Sequence, residues 1–501
     1  MEVDTAPPAV VDKRPPKDEL AALGLCAECI ARARREAVAA PRDAAMASAG
    51  SAPSEGPLCP ICFDALPTLE AQAASLLDAL DAYAPASSYH LIVLAPVATR
   101  VREAAALQAV SEAVLAASGG DAAATMAKPD FGGVFPVELA VQLRDRLRDV
   151  VHARLQERGM SMVESTQSPL KVTVLLEHEE TKREPDFLRD RMHKAANSRK
   201  RRYGVPETHL HLAPNNTGLG REKVALMLRA LDGNALRTQT AVPPRRVATF
   251  NTVAMQIRHE SIFIQGRYCK LARNVPNAKW IVHGKRRGIS SVEEETARYL
   301  DEYMRSDGHL FWSAGREDID VRMLGDGRPF VMEIINPRNL APTADGLRAV
   351  GERTNEHLHD DGDRLVSVNS LAVLPKEGPP KAREAEHAKR KTYRCVVWTS
   401  CVLTNELVAS LDRTDMVIQQ QTPMRVSHRR SLMTRERTVH RMHAERINDH
   451  WMLLDMETEA GTYIKEFVHG DFGRTQPNLG SLLVPGATAD IVQLDVLSIV
   501  I

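Results

Sequence analysis

The chain has 501 residues, and its 65 Lys and Arg are balanced by 65 Asp and Glu, so the formal net charge is zero. A chain longer than about 300 residues exceeds what one hydrophobic core supports, so we expect two or three domains. The charge balance excludes a protein that is basic overall and restricts any nucleic-acid surface to local clusters, within a composition typical of soluble globular proteins.

The N-terminal segment, residues 1–18, is rich in proline and charge and predicts a disordered tail. It carries acids and prolines where a secretory signal would need a basic start and an apolar run. No stretch approaches roughly 18 consecutive apolar residues, so no membrane span is predicted. We therefore expect an intracellular protein of the nucleus, the cytoplasm or both, and take a monomer as its working state.

Residues 19–70 contain two CxxC pairs, Cys26 with Cys29 and Cys59 with Cys62. Each pair spans a tight turn that aims both sulfurs at one ion, and four thiolates are a typical ligand set for structural zinc. The sequence therefore predicts a small zinc module; the alternatives are two unrelated cysteine pairs or a redox site. Because four thiolates leave no position for a substrate water, a catalytic zinc is not expected.

Residues 71–250 predict an α/β accessory domain. The strand-like run YHLIVLAP precedes an Ala-rich helical stretch over residues 97–117, and the strand-like run LKVTVLLEHE comes later. Between them lies an amphipathic helix that Gly159 is placed to end. Its apolar stripe consists of Leu139, Leu143, Leu147, Val151 and Leu155.

Residues 251–501 predict a second domain of mixed α+β type. Ser291 with Glu294 three residues later is typical of a capping box, and the helix that follows has an apolar face. Strand-like runs recur after it: RPFVMEII, KTYRCVVW, DMVIQ, HWMLLDMET and VQLDVLSIVI. The expected fold is thus α+β, with a mixed or antiparallel sheet in the C-terminal domain.

The densest group of charged motifs lies in residues 313–337, SAGREDIDVRMLGDGRPFVMEIINP. Its GRED portion places acids beside an arginine on a short turn before a buried strand, where charges need partners. By itself this pattern fits a solvated, salt-bridged loop equally well. Two further segments favour a functional site: KTY, which ends at Tyr393, and AGTYIK, which ends at Lys465.

Together these motifs resemble pseudouridine synthases. GREDID is similar to the GRTDxGV loop of the TruA type, KTY to its second motif, and GTYIKEF to the GTYIR segment of the TruB type. The runs GRYCKLARNVPNAKW, QTPMRVSHRRSLMTRERTV and AGTYIKEFVHGDFGRTQPNLGSL resemble the archaeal and eukaryotic tRNA pseudouridine synthase family known as number ten. The resemblance covers residues 250–501, and the cysteine pairs match that family's zinc module. It implies that residues 71–250 contain a THUMP fold.

The resemblance also implies the site residues. Asp318 would be the nucleophile, with Asp320 as its rival; Tyr393 would stack on the target base, and Lys465 would pair with Asp318. The implied reaction isomerises uridine to pseudouridine in the TΨC loop of tRNA, at uridine 55 with uridine 54 as a second site. It involves no redox change and needs no organic cofactor, so zinc is the one cofactor expected. Without the resemblance, Tyr393 would be interpreted as a core residue.

RNA binding is predicted for two basic segments. One is MRVSHRRSLMTRERTVHR, a local cluster inside a neutral protein, although a solvated strand pair has the same composition. The other is GRYCKLAR. The residues expected to contact RNA are Arg267, Tyr268, Lys270, Arg273, Arg316, Arg425, His428, Arg429, Arg430, Arg435 and Arg437.

Two other functional classes remain open from the sequence. A non-catalytic RNA-binding scaffold would keep the zinc module and the basic surface without turnover. A zinc hydrolase would lose activity on chelation without unfolding, but an all-thiolate ligand set argues against it.

Overall fold

A computed structural model describes residues 15–34, 58–65, 69, 78–83, 86–117, 142–164, 167–188, 221–231, 233–375, 390–428 and 430–500. The chain divides into two units, Met1–Arg258 and His259–Ile501. Most of the expected tail, residues 1–14, lies outside the described residues, as does Leu139 of the predicted stripe. The first helix begins at Lys17, within the segment expected to be a tail.

The N-terminal unit contains both helices and strands. Its elements are α1 Lys17–Ala22, α2 Ala27–Arg34, β1 Ser88–Leu94, α3 Val97–Ala117, α4 Leu143–Glu157, β2 Ser161–Met162, β3 Leu170–Glu177, α5 Arg221–Arg229, α6 Gly233–Gln239 and β4 Thr252–His259. The strands form a four-stranded sheet in the order β2-β1-β3-β4, and β1 runs parallel to both β2 and β3. Parallel neighbours need a long crossover, and α3 and α4 provide it between β1 and β3.

The predicted amphipathic helix is α4. Its stripe residues Leu143, Leu147, Val151 and Leu155 are all buried, since positions three or four apart share one face of a helix. The helix ends at Glu157, and Gly159 follows with a φ of +73°, in the left-handed region that favours glycine. The helix and its glycine stop are therefore confirmed.

The C-terminal unit is dominated by strands. Its elements are β5 Ile262–Lys270, β6 Trp280–Val282, β7 Lys285–Arg287, α7 Val292–Met304, β8 Gly308–Ser313, β9 Arg322–Ile335, α8 Ala344–Glu356, β10 Val366–Leu374, β11 Arg390–Thr399, α9 Asn405–Ala409, β12 Arg413–Gln421, β13 Thr434–Arg446, β14 Trp451–Glu459, α10 Ile464–His469, β15 Thr475–Gln476, α11 Leu479–Leu483 and β16 Ala489–Val500. The strand-like runs of the sequence correspond to β9, β11, β12, β14 and β16.

One ten-stranded sheet organises this unit. Its order is β10-β5-β9-β16-β11-β14-β13-β12-β15, with β8 paired to β9 beside that path. β16 pairs antiparallel with β11 but parallel with β9, where Asp495 faces Arg322 and Val496 faces Met323. The sheet is therefore mixed, and the expected α+β class is confirmed.

Helix α7 covers one face of this sheet and begins at the predicted serine, although the Glu294 carboxylate accepts a hydrogen bond from the Ser291 hydroxyl, so only the serine half of the predicted capping box forms. The Ser291 hydroxyl accepts a hydrogen bond from the Glu294 backbone N–H at 3.3 Å, which satisfies one of the first free amides of the helix. Leu300 and Met304 are fully buried in the core. Among the described residues, no helix has the length and apolarity needed to cross a bilayer.

Candidate active site and metal centre

The loop between β8 and β9 carries the predicted nucleophile. Gly315 opens it with a φ of +80°, and a Cβ there would lie 3.0 Å from Nη1 of Arg328. Beyond this turn the side chains alternate: Glu317 points into the protein and is 7% exposed, whereas Asp318 is half-exposed. Adjacent acids in this loop therefore face opposite sides, which gives them different environments.

Glu317 belongs to a buried polar network beneath the loop. Its carboxylate accepts hydrogen bonds from Nε of Arg328 at 2.9 Å and from the Tyr268 hydroxyl at 3.1 Å. Nδ2 of Asn277 donates to the same hydroxyl at 3.0 Å, and Nη1 of Arg328 donates to the Ala314 carbonyl at 2.8 Å. Buried charges are stable only when paired and hydrogen-bonded, and this network meets both conditions.

Lys270 supports the same loop from below. Its buried ammonium donates to the carbonyls of Val275 at 2.8 Å and of Asp318 and Ile319 at 3.0 Å each. Burial lowers the pKa of Lys270 to about 8, against the opposing charge of Glu317. These contacts fix the backbone on which the Asp318 side chain stands.

The predicted RNA contacts of Tyr268 and Lys270 need correction. Both side chains lie in the core, 0% and 1% exposed, and their polar atoms are occupied by the network and by loop carbonyls. A phosphate would reach them only if this packing opened. The sequence already indicated that these two side chains are buried, because strand alternation puts Tyr268 and Lys270 on the same face as Ile262 and Ile264.

Arg267 and Arg273 also bind protein groups. Arg267 donates to the carbonyls of Asp326 at 2.8 Å and Gly327 at 2.7 Å. Arg273 donates to the Asp320 carbonyl at 2.8 Å and to Oδ1 of Asp495 at 2.7 Å. The predicted RNA-binding segment GRYCKLAR therefore holds the loop and its neighbouring turn, and any RNA contact by these arginines would add to that role.

On the outer side of the loop, two cations approach Asp318. Oδ2 of Asp318 lies 3.2 Å from Nη1 of Arg425 and 3.5 Å from Nζ of Lys465. Arg425 is anchored by a hydrogen bond from its Nε to the buried Glu466 at 2.7 Å. The fold thus brings together Asp318 and Lys465, which the sequence analysis paired, and it adds Arg425, for which no sequence signal indicated this position.

Asp320 is the closer partner of Lys465. Nζ of Lys465 donates to Oδ1 of Asp320 at 2.9 Å and to Oδ2 at 2.7 Å. Burial alone would raise the pKa of Asp320, but the hydrogen bond and charge of Lys465 outweigh it and hold that pKa below its usual value. Lys465 therefore bridges both acids of the GREDID loop, and Asp320 is the more tightly held of the two.

Tyr393 lies on β11 in the core of the sheet. It is 8% exposed and stands opposite Met456 of β14 and Val496 of β16. Burial raises the pKa of its hydroxyl to about 12, so the phenol stays protonated at neutral pH. This is the core position that the sequence alone favoured, and its predicted role in base stacking stays a prediction.

The predicted RNA-binding segment MRVSHRRSLMTRERTVHR, together with Arg316 of the Asp318 loop, is more accessible than GRYCKLAR. His428, Arg430 and Arg316 are exposed. Arg435 donates to the Thr422 hydroxyl at 3.2 Å, and Arg437 to Glu459 at 3.2 Å. Arg429 lies outside the described residues. His428, Arg430 and Arg425 stand on the segment that follows β12, and Arg316 stands on the Asp318 loop. Of these residues, Arg425 contacts the half-exposed carboxylate.

The four cysteines of the predicted zinc module come together in the N-terminal unit. Every pair of sulfurs lies within 4.8 Å, and Sγ of Cys26 is 3.6 Å from Sγ of Cys62. Tetrahedral zinc with Zn–S bonds of about 2.3 Å would separate its sulfurs by roughly 3.8 Å. The set therefore fits a structural zinc ion.

A buried arginine stands behind this cluster. Nη1 of Arg32 donates to Sγ of Cys29 at 3.2 Å, and Nη2 pairs with Glu103 on α3 at 2.7 Å. A guanidinium there offsets part of the negative charge that four thiolates leave around a divalent ion, and such outer partners orient metal ligands. The Cys29–Arg32–Glu103 chain thus links the cysteine cluster to the longest helix described in this unit.

Comparison with known proteins adds a family match. A family model described as Pus10, C-terminal, matches residues 263–500. The tRNA pseudouridine synthase Pus10 of Xenopus laevis is 35% identical over 361 residues, which cover 72% of this chain and 66% of that protein. The protein of the same name from Archaeoglobus fulgidus is 36% identical over 264 residues, covering 50% of this chain and 69% of that one.

The match spans slightly less than two thirds of the frog protein. A crystal structure of a Cbf5-Nop10-Gar1 complex overlaps 47% of this chain and 48% of its own, at 15% identity and a TM-score of 0.25.

Proposed function

Because this chain belongs to the Pus10 family, we propose that it is a tRNA pseudouridine synthase that isomerises uridine in the TΨC loop, at uridine 55 with uridine 54 as a second site. The observation that carries the proposal is the half-exposed Asp318 carboxylate, held between Arg425 and Lys465 on a loop with a rigid buried support. Residues 71–250 would contribute a THUMP fold. We further propose a monomer that works in the nucleus, the cytoplasm or both.

The proposed reaction begins at the ribose. One oxygen of Asp318 bonds to C1′ as the N1–C1′ glycosidic bond breaks, and the detached uracil keeps the electron pair. The base then rotates, C5 bonds to C1′, and the aspartate is released. C5 gives up its proton while N1 takes one, so no electrons are gained or lost overall. Arg425 and Lys465 favour the ionised carboxylate that the first step requires.

The direct test is conversion of a tRNA transcript by the purified chain. We expect pseudouridine at position 55, detected by mass spectrometry of nuclease fragments, and its loss from tRNA of cells that lack the protein. Binding of the transcript without any conversion would contradict the proposal and favour the scaffold function instead.

Tyr393 is proposed to stack on the extruded base, which loses its own stacking partners when it leaves the RNA. Stacking of a base on an aromatic ring contributes about 1–3 kcal/mol, so Tyr393→Leu should lower kcat/KM roughly tenfold to a hundredfold. Tyr393→Phe, the matched control, keeps the ring and should stay near the wild-type value. Equal rates for the Leu variant and the wild type would remove the stacking role.

The cysteine cluster is proposed to hold one structural zinc ion. Cys29→Ser removes one of the four thiolates and weakens the link to Arg32, so we expect zinc content to fall by one equivalent and the N-terminal unit to unfold at lower temperature. Elemental analysis measures the zinc content, and far-UV circular dichroism follows the unfolding temperature. Cys401→Ser, which changes a cysteine outside the cluster, is the control and should alter neither. Unchanged zinc content in Cys29→Ser would refute the ligand set.

A further inference from the structure

A second group of metal-ligating side chains lies in the C-terminal unit, apart from the residues around Asp318. Glu295 in the first turns of α7, together with His357 and His359 just after α8, brings one carboxylate and two imidazoles together. Their ligand atoms all lie within 4.8 Å of one another. Neither the proposed isomerisation nor the cysteine cluster uses these residues.

The geometry between His359 and Glu295 points to a shared ion. Nε2 of His359 is buried 3.2 Å from Oε1 of Glu295, which is ion-pair distance, but it makes no hydrogen bond of good geometry to any described residue. Two ligands of one tetrahedral ion, bound at about 2.0–2.1 Å, stand roughly 3.4 Å apart, so this spacing suits two donors to the same metal. We propose that Glu295, His357 and His359 bind a divalent transition-metal ion, with Zn²⁺ as the best-matched ion.

The surroundings hold two of the three ligands in place. The Ser290 hydroxyl and Nη2 of Arg298, the latter at 2.8 Å, both donate to Oε1 of Glu295. The Tyr299 hydroxyl lies 3.2 Å from Nδ1 of His357, and the tautomer in which Nδ1–H donates to that hydroxyl would leave the Nε2 lone pair for a metal. Metal-binding histidines are commonly oriented by a partner on the second ring nitrogen. Tyr299 is one helical turn after Glu295, so it stands on the same face of α7.

Charge around the cluster is mixed. Arg298 competes with the ion for Oε1 of Glu295, because this oxygen already accepts hydrogen bonds from Arg298 and Ser290, so metal binding must displace one of these donors. Exposed acids on the turn after His359 oppose this effect: Asp360, Asp361 and Asp363. Two imidazoles with one carboxylate form a borderline ligand set that suits Zn²⁺ better than Mg²⁺ or Ca²⁺, which prefer oxygen. Three protein ligands leave a fourth position for water.

Such an ion would fasten α8 to the start of α7, which supports the active-site region. The backbone amides of Val292 and Glu293 donate at 3.0 Å to the carbonyls of Pro276 and Asn277. The Asn277 side chain in turn donates to Tyr268 in the network under the Asp318 loop. The metal would therefore act as a brace for α7, whose first residues contact the segment that contains Asn277.

The test is zinc stoichiometry of the full chain, saturated with Zn²⁺ and freed of excess by gel filtration. We expect His359→Asn and, separately, His357→Asn to hold one equivalent less than the wild type. His443→Asn is the matched control, since His443 also lies beside two acids, Asp412 and Glu445, and should keep the wild-type content. Equal zinc content in wild type and both site variants overturns the proposal, as does a wild type that binds none.

Two further measurements separate this site from the cysteine cluster and from misfolding. When the cysteine cluster already holds Zn²⁺, Co²⁺ bound at the proposed site should give visible ligand-field bands without thiolate charge transfer, and these bands should be absent in His359→Asn. Tyr299→Phe removes only the orienting hydroxyl, so Zn²⁺ affinity measured against a chromophoric chelator should fall about tenfold. An unchanged affinity, or cobalt bands that persist in His359→Asn while tryptophan fluorescence reports a folded unit, would contradict the site.

Discussion

Asp318→Asn is expected to reduce pseudouridine formation in a tRNA transcript by a factor of about a thousand or more, because an amide cannot form the covalent bond to C1′ that the reaction needs. The amide is almost the same size as the carboxylate, so the loop should keep its shape. Its backbone is held by Lys270, which does not contact the Asp318 side chain. The measurement is single-turnover conversion with enzyme in excess, together with the affinity for tRNA.

Asp320→Asn is the matched control for this variant. Asp320 belongs to the same loop and is the closer partner of Lys465, but its carboxylate is more exposed. Loss of an exposed ion pair typically costs about 1 kcal/mol or less, so the rate should fall by less than about tenfold. If Asp320→Asn were inactive and Asp318→Asn retained most of its rate, the two acids would have to exchange roles.

Glu317→Ala is expected to destabilise the C-terminal unit by about 3–5 kcal/mol, because it leaves the Arg328 guanidinium buried without its counter-ion. Arg328 is 2% exposed, so solvent cannot replace the lost carboxylate without opening the core. In a unit of this size the loss corresponds to a fall in Tm of roughly 10 °C. The effect should far exceed that of most single substitutions.

Tryptophan fluorescence can follow this unfolding in the intact chain. All four tryptophans, Trp280, Trp312, Trp398 and Trp451, lie in the C-terminal unit. The control is Asp455→Ala, which breaks the exposed pair with Arg394 and should cost about 1 kcal/mol or less. A melting temperature for Glu317→Ala close to that of the control would show that the buried pair contributes little. The double variant Glu317→Gln with Arg328→Met should recover part of the lost stability.

The sequence predicted those parts of the fold that depend on local pattern. The stripe of α4, the capping serine of α7 and the strands β9, β11 and β14 each follow from side-chain periodicity within one segment, which is why they were recognisable. The order of strands in the sheet depends on contacts between distant segments. No single-sequence pattern encodes it.

The same distinction applies to the active site. The pairing of Asp318 with Lys465 was accessible through the motifs of a known family, and the distance between them agrees with it. The contact of Arg425 with Asp318 could not be predicted, because the sequence around an arginine in a basic cluster does not indicate which acid it will contact. Lys270 was misjudged for another reason: charge was taken to mean exposure, although the alternation of β5 placed this lysine inward.

The position of β16 has a consequence for assembly during protein synthesis. Strands β5, β8, β9 and β10 lie on one side of it and β11 to β15 on the other, although β16 is translated after all of them. Asp318 belongs to the first group and Lys465 follows β14 in the second. In a nascent chain that has not yet extended through residues 489–500, the strands on either side can pair among themselves. Such a chain lacks β16, which joins the two groups of strands in the described sheet. Synthesis must therefore pass residues 489–500 before the nucleophile meets its cation, so activity should arise abruptly at that point rather than in proportion to chain length.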